Sequence, residues 1–159
     1  MEQLILHLVG DYLTQSDWMA QNKTKRHFPA LAHAVVYSLP FLLLTGLSDR
    51  GLAVWAVILW SHFFIDRYRL ARYVVWAKNL LAPEWTWFCD SPEAANAPHN
   101  PGCPTERCDY CRKVRTLPWK ECTATGYPPD RPAWLAVWLL IVADNTMHLA
   151  INYASLRWL

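Results

Sequence analysis

A stretch of 21 residues, 28–48, contains no Asp, Glu, Lys or Arg, and its centre is strongly apolar. At a rise of about 1.5 Å per residue, about 20 apolar residues are enough for a helix to cross the hydrocarbon core of a bilayer. Residues 51–65 form a second uncharged run, and residues 132–156 form a third with a single charge at Asp144. These runs favour a membrane protein over the alternative, a soluble all-helical domain with unusually apolar helices.

The first 21 residues are less apolar, because Glu2, Asp11 and Asp17 interrupt them. We expect this segment either to cross the membrane or to lie at its interface as an amphipathic helix. The composition excludes a disordered chain, since 53% of the residues are hydrophobic, 10 are Trp and the net charge is only +2. Several of the Trp residues fall near the ends of the apolar runs, which is typical of indoles at headgroup depth.

The composition changes between residues 80 and 131, which hold eight of the eleven prolines and all five cysteines. Proline interrupts helices, so this segment is predicted to be an insert without a long helix. The predicted organisation is therefore membrane helices 1 to 3 in residues 1–79, a Cys/Pro-rich insert in residues 80–131 and membrane helix 4 in residues 132–159. The predicted fold class is all-α, an up-down bundle of about four transmembrane or membrane-embedded helices.

The basic residues are distributed unevenly over this predicted topology. Thirteen of the 15 Lys and Arg residues fall on the side that carries the insert, and only Arg50 and Arg157 fall on the other. Loops rich in Lys and Arg stay on the cytoplasmic side of a membrane. We therefore expect a multi-pass protein of the bacterial inner (cytoplasmic) membrane with the insert in the cytoplasm.

Three His/Asp pairs are separated by four residues, a spacing that places both side chains on one face of a helix. The order is His then Asp in the first and third helices and Asp then His in the fourth, which runs in the opposite direction. His33 adds a polar group from the second helix. The predicted metal ligands are His7, Asp11, His33, His62, Asp66, Asp144 and His148, and the predicted catalytic residues among them are Asp11, Asp66 and Asp144.

Imidazole and carboxylate together suit a divalent transition metal such as Zn²⁺, Mn²⁺ or Fe²⁺. Seven ligands are enough for two ions that share a bridging carboxylate. An Asp inside a spanning helix costs about 2.5 to 3.5 kcal/mol on insertion scales, so Asp144 is expected to face a polar interior. Two other interpretations stay open, namely a hydrogen-bonded core or proton relay without metal, and a chance pattern.

The insert contains a second candidate metal site, a structural zinc site formed by Cys103, Cys108, Cys111 and Cys122. Bound zinc would order a proline-rich segment that is poor in apolar residues. Free thiols are the alternative for a cytoplasmic insert, and a disulfide would require the opposite topology. The basic residues of the insert are expected to be a solvated loop, so no specific nucleic acid partner is predicted.

Three segments of the sequence carry a family resemblance: residues 7–23, 62–72 and 143–149, which read HLVGDYLTQSDWMAQNK, HFFIDRYRLAR and ADNTMHL. They resemble a family of small, uncharacterised multi-spanning membrane proteins of bacteria and phages. That family is in turn similar, in its His and Asp pattern, to the inner-membrane metal-dependent hydrolases. The resemblance implies a hydrolase but no particular substrate.

The expected function is a membrane-embedded metal-dependent hydrolase that acts on a phosphoester or similar bond of a lipid or nucleotide at the cytoplasmic face. Its expected partners are membrane lipid and a small anionic substrate, bound by Lys23, Arg67 and Arg69. The sequence leaves enzymatic activity and self-association open. The alternative is a non-enzymatic membrane protein, for example a phage product, whose polar or metal-stabilised core lets it modify host membrane function or bind a partner.

Overall fold

A computed structural model describes residues 2–81, 86–89, 111–114, 117–129 and 131–159. The chain is mainly helical, as the sequence predicts. Helix α1 (Glu2–Leu8) continues into a π-helical turn (Val9–Leu13) and is followed by α2 (Asp17–Asn22), α3 (His27–Thr45), α4 (Asp49–Tyr68), α5 (Ala71–Lys78) and α6 (Ala133–Trp158).

The insert between α5 and α6 has local structure of its own. Two 3₁₀ turns (Asn79–Leu81 and Trp119–Glu121) and two short strands, β1 (Thr86–Cys89) and β2 (Cys111–Val114), lie within it. The strands pair antiparallel. The last part of the insert packs on the helices, because Leu117 and Tyr127 are buried and the indole Nε1 of Trp76 donates to the Leu117 carbonyl at 2.9 Å.

Helices α3 and α4 form an antiparallel hairpin with the most extensive contact between any two of the described helices. Gly46 ends α3 with a φ of +75°, and the Ser48 hydroxyl caps α4 by accepting from the Gly51 backbone N–H at 3.1 Å. Any side chain at position 51 would collide with the backbone carbonyl of Gly46, so glycine is needed for this close approach. The hairpin encloses an apolar cluster near this end, made of Tyr37, Phe41, Val54 and Ile58, with Leu6 and Leu156 packed against it.

Helix α6 lies against α4 and α5 and runs from the insert towards the Ser48 end of the hairpin. Its first turns meet α5 through Ala136 and Val75, and its last turns reach the apolar cluster through Leu156. Helix α4 ends at Arg69, which has the left-handed backbone conformation (φ 52°, ψ 49°) and lets the chain turn into α5. This conformation costs a non-glycine residue about 1 to 2 kcal/mol.

Helix α6 presents mainly polar side chains to the interior and apolar side chains to the outside. Only four residues of the 26-residue helix α6 are buried, and three of these, His148, Asn152 and Ser155, are polar. Large apolar side chains are exposed instead, including Leu43 at 85%, Trp134 at 67% and Trp138 at 62%. A helix of a water-soluble bundle shows the opposite pattern, with its apolar side chains facing the interior.

Two of the described helices, α3 and α6, are long and apolar enough to cross a membrane, whereas the sequence suggested about four. Helix α4 has 20 residues but carries charged residues at both ends and its own His and Asp, which lower its mean hydropathy. The first helix is shorter than expected, because α1 and its π-helical turn together cover only residues 2–13. Twelve residues extend about 18 Å, too little to cross about 30 Å of hydrocarbon.

Close contact between the π-helical turn and α3 leads to a first prediction. A Cβ atom at Gly10 would lie 2.5 Å from Cδ2 of Tyr37, whose side chain is fully buried. Gly10→Ala is therefore expected to lower the melting temperature of the detergent-purified protein, although alanine favours a helix over glycine by about 1 kcal/mol. Leu13→Ala, at a position that is 78% exposed, is the control and should leave the melting temperature nearly unchanged. An equal or higher melting temperature for Gly10→Ala would contradict this packing.

Candidate metal centre

Four ligand atoms from three elements meet in the interior of the helical bundle. The carboxylate of Asp11 comes from the π-helical turn, the imidazole of His33 from α3, and His62 and Asp66 from successive turns of α4. His33 Nε2 lies 2.9 Å from His62 Nε2, 3.1 Å from Asp11 Oδ1 and 3.2 Å from Asp66 Oδ2. His62 Nε2 lies 3.4 Å from Asp11 Oδ1 and 3.2 Å from Asp66 Oδ2. All four residues are buried almost completely.

These distances match the spacing of ligands around a small cation. Four ligands placed tetrahedrally at about 2.0 to 2.1 Å from Zn²⁺ lie about 3.3 to 3.4 Å from one another. The five interatomic distances given above range from 2.9 to 3.4 Å. The donor set of two imidazoles and two carboxylates is also one that transition metals accept. The buried group could therefore hold a metal ion.

Hydrogen bonding alone does not satisfy this arrangement. A neutral imidazole nitrogen has either one proton or one lone pair, so it makes one good hydrogen bond in the plane of its ring. His33 Nε2 nevertheless faces four polar atoms within 3.3 Å, those of Lys23, Asp11, His62 and Asp66. Within the described part of the chain, the Nδ1 atoms of His33 and His62 have no hydrogen-bond partner. Both rings thus direct their polar contacts to the common centre.

A second group of candidate ligands adjoins the first and shares Asp66 with it. His148 Nε2, from α6, lies 3.5 Å from Asp66 Oδ1 and 3.5 Å from Asp144 Oδ2. The two oxygens of Asp66 therefore face different groups, with Oδ2 towards His33 and His62 and Oδ1 towards His148. The three residues Asp66, Asp144 and His148 are close enough to one another to hold a cation. Asp66 is thus shared by the two groups of candidate ligands.

The remaining predicted ligand, His7, lies behind Asp11 and belongs to neither group. His7 Nδ1 is 2.8 Å from the Tyr37 hydroxyl and 3.5 Å from Asp11 Oδ2. Nδ1 is thus turned to the tyrosine, while Nε2 is buried without a hydrogen-bond partner among the described residues, so a role of His7 as a ligand stays a prediction. The i, i+4 spacing does bring His7 next to Asp11, where it contacts the carboxylate oxygen that faces away from the four-atom group.

Two residues that the sequence analysis did not select support the site. The Asn152 side-chain amide donates to the Tyr37 hydroxyl at 2.7 Å, and the Tyr37 ring stacks on His62 with ring centres 3.7 Å apart. Tyr37 therefore links α1, α3, α4 and α6 and fixes the plane of one candidate ligand. The sequence contains a signal for both residues, because Tyr37 follows His33 by four positions and Asn152 follows His148 by four. This spacing places each of them on the same helix face as the histidine.

Lys23 is part of the buried cluster. Its ammonium lies 2.8 Å from Asp66 Oδ2 and 3.3 Å from His33 Nε2. Burial by itself lowers the pKa of this lysine, but the attraction of Asp66 outweighs that effect and raises the pKa above its ordinary value of 10.5. Lys23 therefore stays positively charged at neutral pH and offsets part of the carboxylate charge. The sequence analysis expected it to bind substrate, whereas in this structure it pairs with a candidate ligand.

A cavity of about 250 Å³ adjoins the cluster. Asp11, Asp66 and Asp144 line it together with Lys23 and Arg69. The side chain of Asp144 is 28% exposed, against 3% for Asp66, so Asp144 is the most accessible of the three carboxylates. A small molecule in the cavity would thus meet carboxylates, a lysine and an arginine. Of the other two predicted substrate-binding residues, Arg69 lines the cavity, while Arg67 donates to the Thr24 carbonyl at 2.9 Å.

The predicted zinc site of the insert lies largely outside the described residues. Cys103 and Cys108 are not among them, and Cys111 is described only as part of strand β2. Cys122 is partly buried, and its Sγ atom lies 3.8 Å from the Leu117 carbonyl oxygen. Zinc binding by the insert stays a prediction.

The geometry predicts that metal binding depends on individual histidines of the bundle. Elemental analysis of the full chain, purified in detergent, should find at least one transition metal ion per chain that is lost in His62→Ala. His27→Ala, which changes an exposed histidine at the start of α3, should keep the wild-type content and serves as the control. Any zinc in the insert is present in both variants and cancels from the comparison. Equal metal content in the two variants would contradict a metal site at this position.

Comparison with known proteins shows a family but no relative of known activity. No curated protein matches the chain, and no solved structure matches it. Residues 1–88, more than half of the 159-residue chain, match the family described as a protein of unknown function, DUF3307. The matched region contains Asp11, His33, His62 and Asp66, whereas Asp144 and His148 lie beyond it. The chain belongs to this family.

Proposed function

We propose that this protein is a membrane-embedded, metal-dependent hydrolase acting on a phosphoester or similar bond of a lipid or nucleotide. The observation that carries this proposal is the convergence of two imidazoles and two carboxylates beside a cavity: His33 Nε2 and His62 Nε2 lie 2.9 Å apart, and each is within 3.4 Å of Asp11 Oδ1 and of Asp66 Oδ2. A merely structural polar core has no need of a cavity lined by carboxylates and cations. A hydrolytic site needs both, because substrate and water must reach the metal.

Membrane insertion is supported by the distribution of polar and apolar side chains. A bundle that buries a polar cluster and exposes many Leu, Val and Trp side chains is stable in a lipid environment, where apolar surfaces lose nothing by facing acyl chains. In water, the same exposed apolar surface would lead to association. Helices α3 and α6 supply the length that a membrane span needs.

The orientation follows from the basic residues. Lys23, Lys25 and Arg26 lie between α2 and α3, and Arg67 joins them through its hydrogen bond to the Thr24 carbonyl. Arg50, at the start of α4, and Arg157, at the end of α6, lie at the other end of the bundle. By the rule that positive loops stay inside, the cavity with its basic rim faces the cytoplasm, as does the insert.

In the proposed reaction, the residues of the chain have separate roles. A bound divalent cation would supply a Lewis acid and would lower the pKa of a water molecule at the site. Asp11, His33, His62 and Asp66 would hold it, and His148, 3.5 Å from Asp66 Oδ1, would orient the Asp66 carboxylate. Asp144, the most accessible carboxylate, is placed to accept a proton from the attacking water. Lys23 and Arg69 would attract the anionic group of the substrate into the cavity.

Membrane insertion can be tested by fractionation of cells that express the full chain. The protein should stay in the membrane pellet after washes with high salt and with alkaline carbonate, and should be solubilised only by detergent. A reporter enzyme that is active only outside the cytoplasm should be active when it is fused after Leu159, because α6 would end there. Release by carbonate would contradict membrane insertion, and an inactive reporter would contradict the orientation.

Hydrolysis can be tested with p-nitrophenyl phosphate and bis(p-nitrophenyl) phosphate in the presence of Mn²⁺, Zn²⁺ or Fe²⁺. We expect release of nitrophenol that depends on the added metal and is abolished in Asp66→Asn. Asp144→Asn should keep the metal bound by the first group but slow the reaction by about 10²- to 10⁴-fold, the usual contribution of a general base. The exposed-site variant His27→Ala is the control. A protein that binds the metal without metal-dependent hydrolysis would support the non-enzymatic alternative, in which the ion stabilises the bundle.

A further inference from the structure

A second cavity lies beside the metal centre and is lined by three arginines. It has a volume of about 430 Å³ and is formed where α4 turns into α5. Arg67, Arg69 and Arg72 line it together with Thr24, Tyr68, Leu70 and Tyr73. None of the described residues that line this cavity is acidic. The cavity is therefore strongly basic, in contrast to the carboxylate-lined cavity next to it.

No carboxylate among the described residues neutralises the positive charge of these arginines. In the described ranges of the chain, none of the three forms an ion pair with a carboxylate. Arg67 donates from Nη1 to the Thr24 carbonyl, and its buried Nε has no hydrogen-bond partner there. Arg72 donates from Nη2 to the Tyr73 hydroxyl at 2.7 Å, and its guanidinium lies 4.7 Å from the ring centre of Tyr73 and 5.3 Å from that of Trp119. These contacts orient the guanidinium groups and leave donors available for an anion.

The basic cavity adjoins the cavity of the metal centre, because Thr24 and Arg69 line both. Arg69 occupies the shared wall in a left-handed backbone conformation and is the only described residue other than glycine with a positive φ. A strained conformation persists where the surrounding structure requires it, and such positions cluster at binding sites. Here the strain places a guanidinium between the carboxylates and the other two arginines.

We propose that the arginine cavity is a subsite for a second phosphate group, so that the ligand of this protein is a diphosphate monoester. This inference rests on the proposed function, which places the first phosphoryl group at the metal centre. The terminal phosphoryl group would lie against the His/Asp cluster, and the phosphate that carries the organic group would lie among Arg67, Arg69 and Arg72. The adjacency of the two cavities favours two phosphates joined by one bridging oxygen over two distant ones.

The reaction then has a defined balance. The oxygen of a water molecule forms a bond to the terminal phosphorus, and the bond between that phosphorus and the bridging oxygen breaks. The bridging oxygen keeps the electron pair and leaves as part of the organic monophosphate, whose charge the arginines stabilise. One proton of the water passes to Asp144 and on to solvent. The products are inorganic phosphate and the organic monophosphate.

The subsite can be tested by binding, independently of catalysis, with the metal-loaded full chain in detergent. Methylenediphosphonate, which cannot be hydrolysed at its bridge, should bind at least about tenfold more tightly than methylphosphonate. Arg69→Gly should remove most of this preference while metal content is unchanged. The melting temperature of Arg69→Gly should equal or exceed that of the wild type, because glycine adopts the left-handed conformation without strain. Arg72→Gln should weaken the preference in the same direction, and Arg157→Gln, at the far end of α6, is the matched control.

Two results would overturn the subsite: equal affinities for the two phosphonates in the wild type, or a preference that persists in both Arg69→Gly and Arg72→Gln. The result is distinguishable from failure of the proposed function. An arginine-dependent preference with no hydrolysis of nitrophenyl esters and no phosphate release from a diphosphate would keep the subsite and reject the hydrolase. Hydrolysis of nitrophenyl esters by a protein that binds the two phosphonates equally would keep the hydrolase and reject the subsite.

The same preparation can identify the source of the diphosphate. Phosphate release is measured from a prenyl diphosphate in phosphatidylcholine vesicles and, separately, from adenosine diphosphate in solution. Release from the vesicles alone assigns a lipid substrate, and release from the soluble compound alone assigns a nucleotide. If neither compound releases phosphate or competes with methylenediphosphonate, the diphosphate assignment is wrong.

Discussion

The buried carboxylate of Asp66 is the constraint on which the rest of the structure depends. A carboxylate that is 4% exposed is costly unless charged or hydrogen-bonding groups surround it. Its partners come from four elements of the chain: Lys23 from the end of α2, His33 from α3, His62 from α4 and His148 from α6. Because each element must bring its polar group to the same point, the helices cannot slide or rotate past one another without leaving a charge unpaired.

The polar centre also explains how helices with apolar outer surfaces hold together. In a lipid environment, apolar side chains gain little by moving from acyl chains to a helix interface, so close packing and hydrogen bonds between helices have to supply specificity. The small residues Ala30 and Ala34 let α3 approach Phe63 on α4. The Tyr37 hydroxyl, with hydrogen bonds to both His7 and Asn152, connects the first and last helices through the middle of the bundle.

Irregular backbone is concentrated around the cluster. The π-helical turn carries Asp11, and the left-handed residue Arg69 follows Asp66 by three positions. π-Helical turns and strained residues recur at functional sites because they direct side chains where a regular helix would not. Here they bring one carboxylate into the bundle and one guanidinium to its rim. The same turn at Arg69 also leads into α5, whose contacts with Tyr127 and Leu117 attach the end of the insert.

The sequence by itself determined which His and Asp residues could form a polar cluster and on which helix face they lie. The uncharged runs predicted helical segments, and the spacing of four placed each His beside an Asp, because these are local properties of the chain. Only the tertiary structure decided that His7 turns to Tyr37, that Lys23 joins Asp66 instead of facing solvent, and that Asp66 is shared by two groups. It also decided that the first helix is short and that two helices, not four, have the length and apolar character of a span. These outcomes depend on contacts between residues that are far apart in the chain, from 22 positions for Asp11 and His33 to 115 for Tyr37 and Asn152. A local sequence pattern does not encode how helices rotate and dock against one another, so such contacts could not be predicted from it.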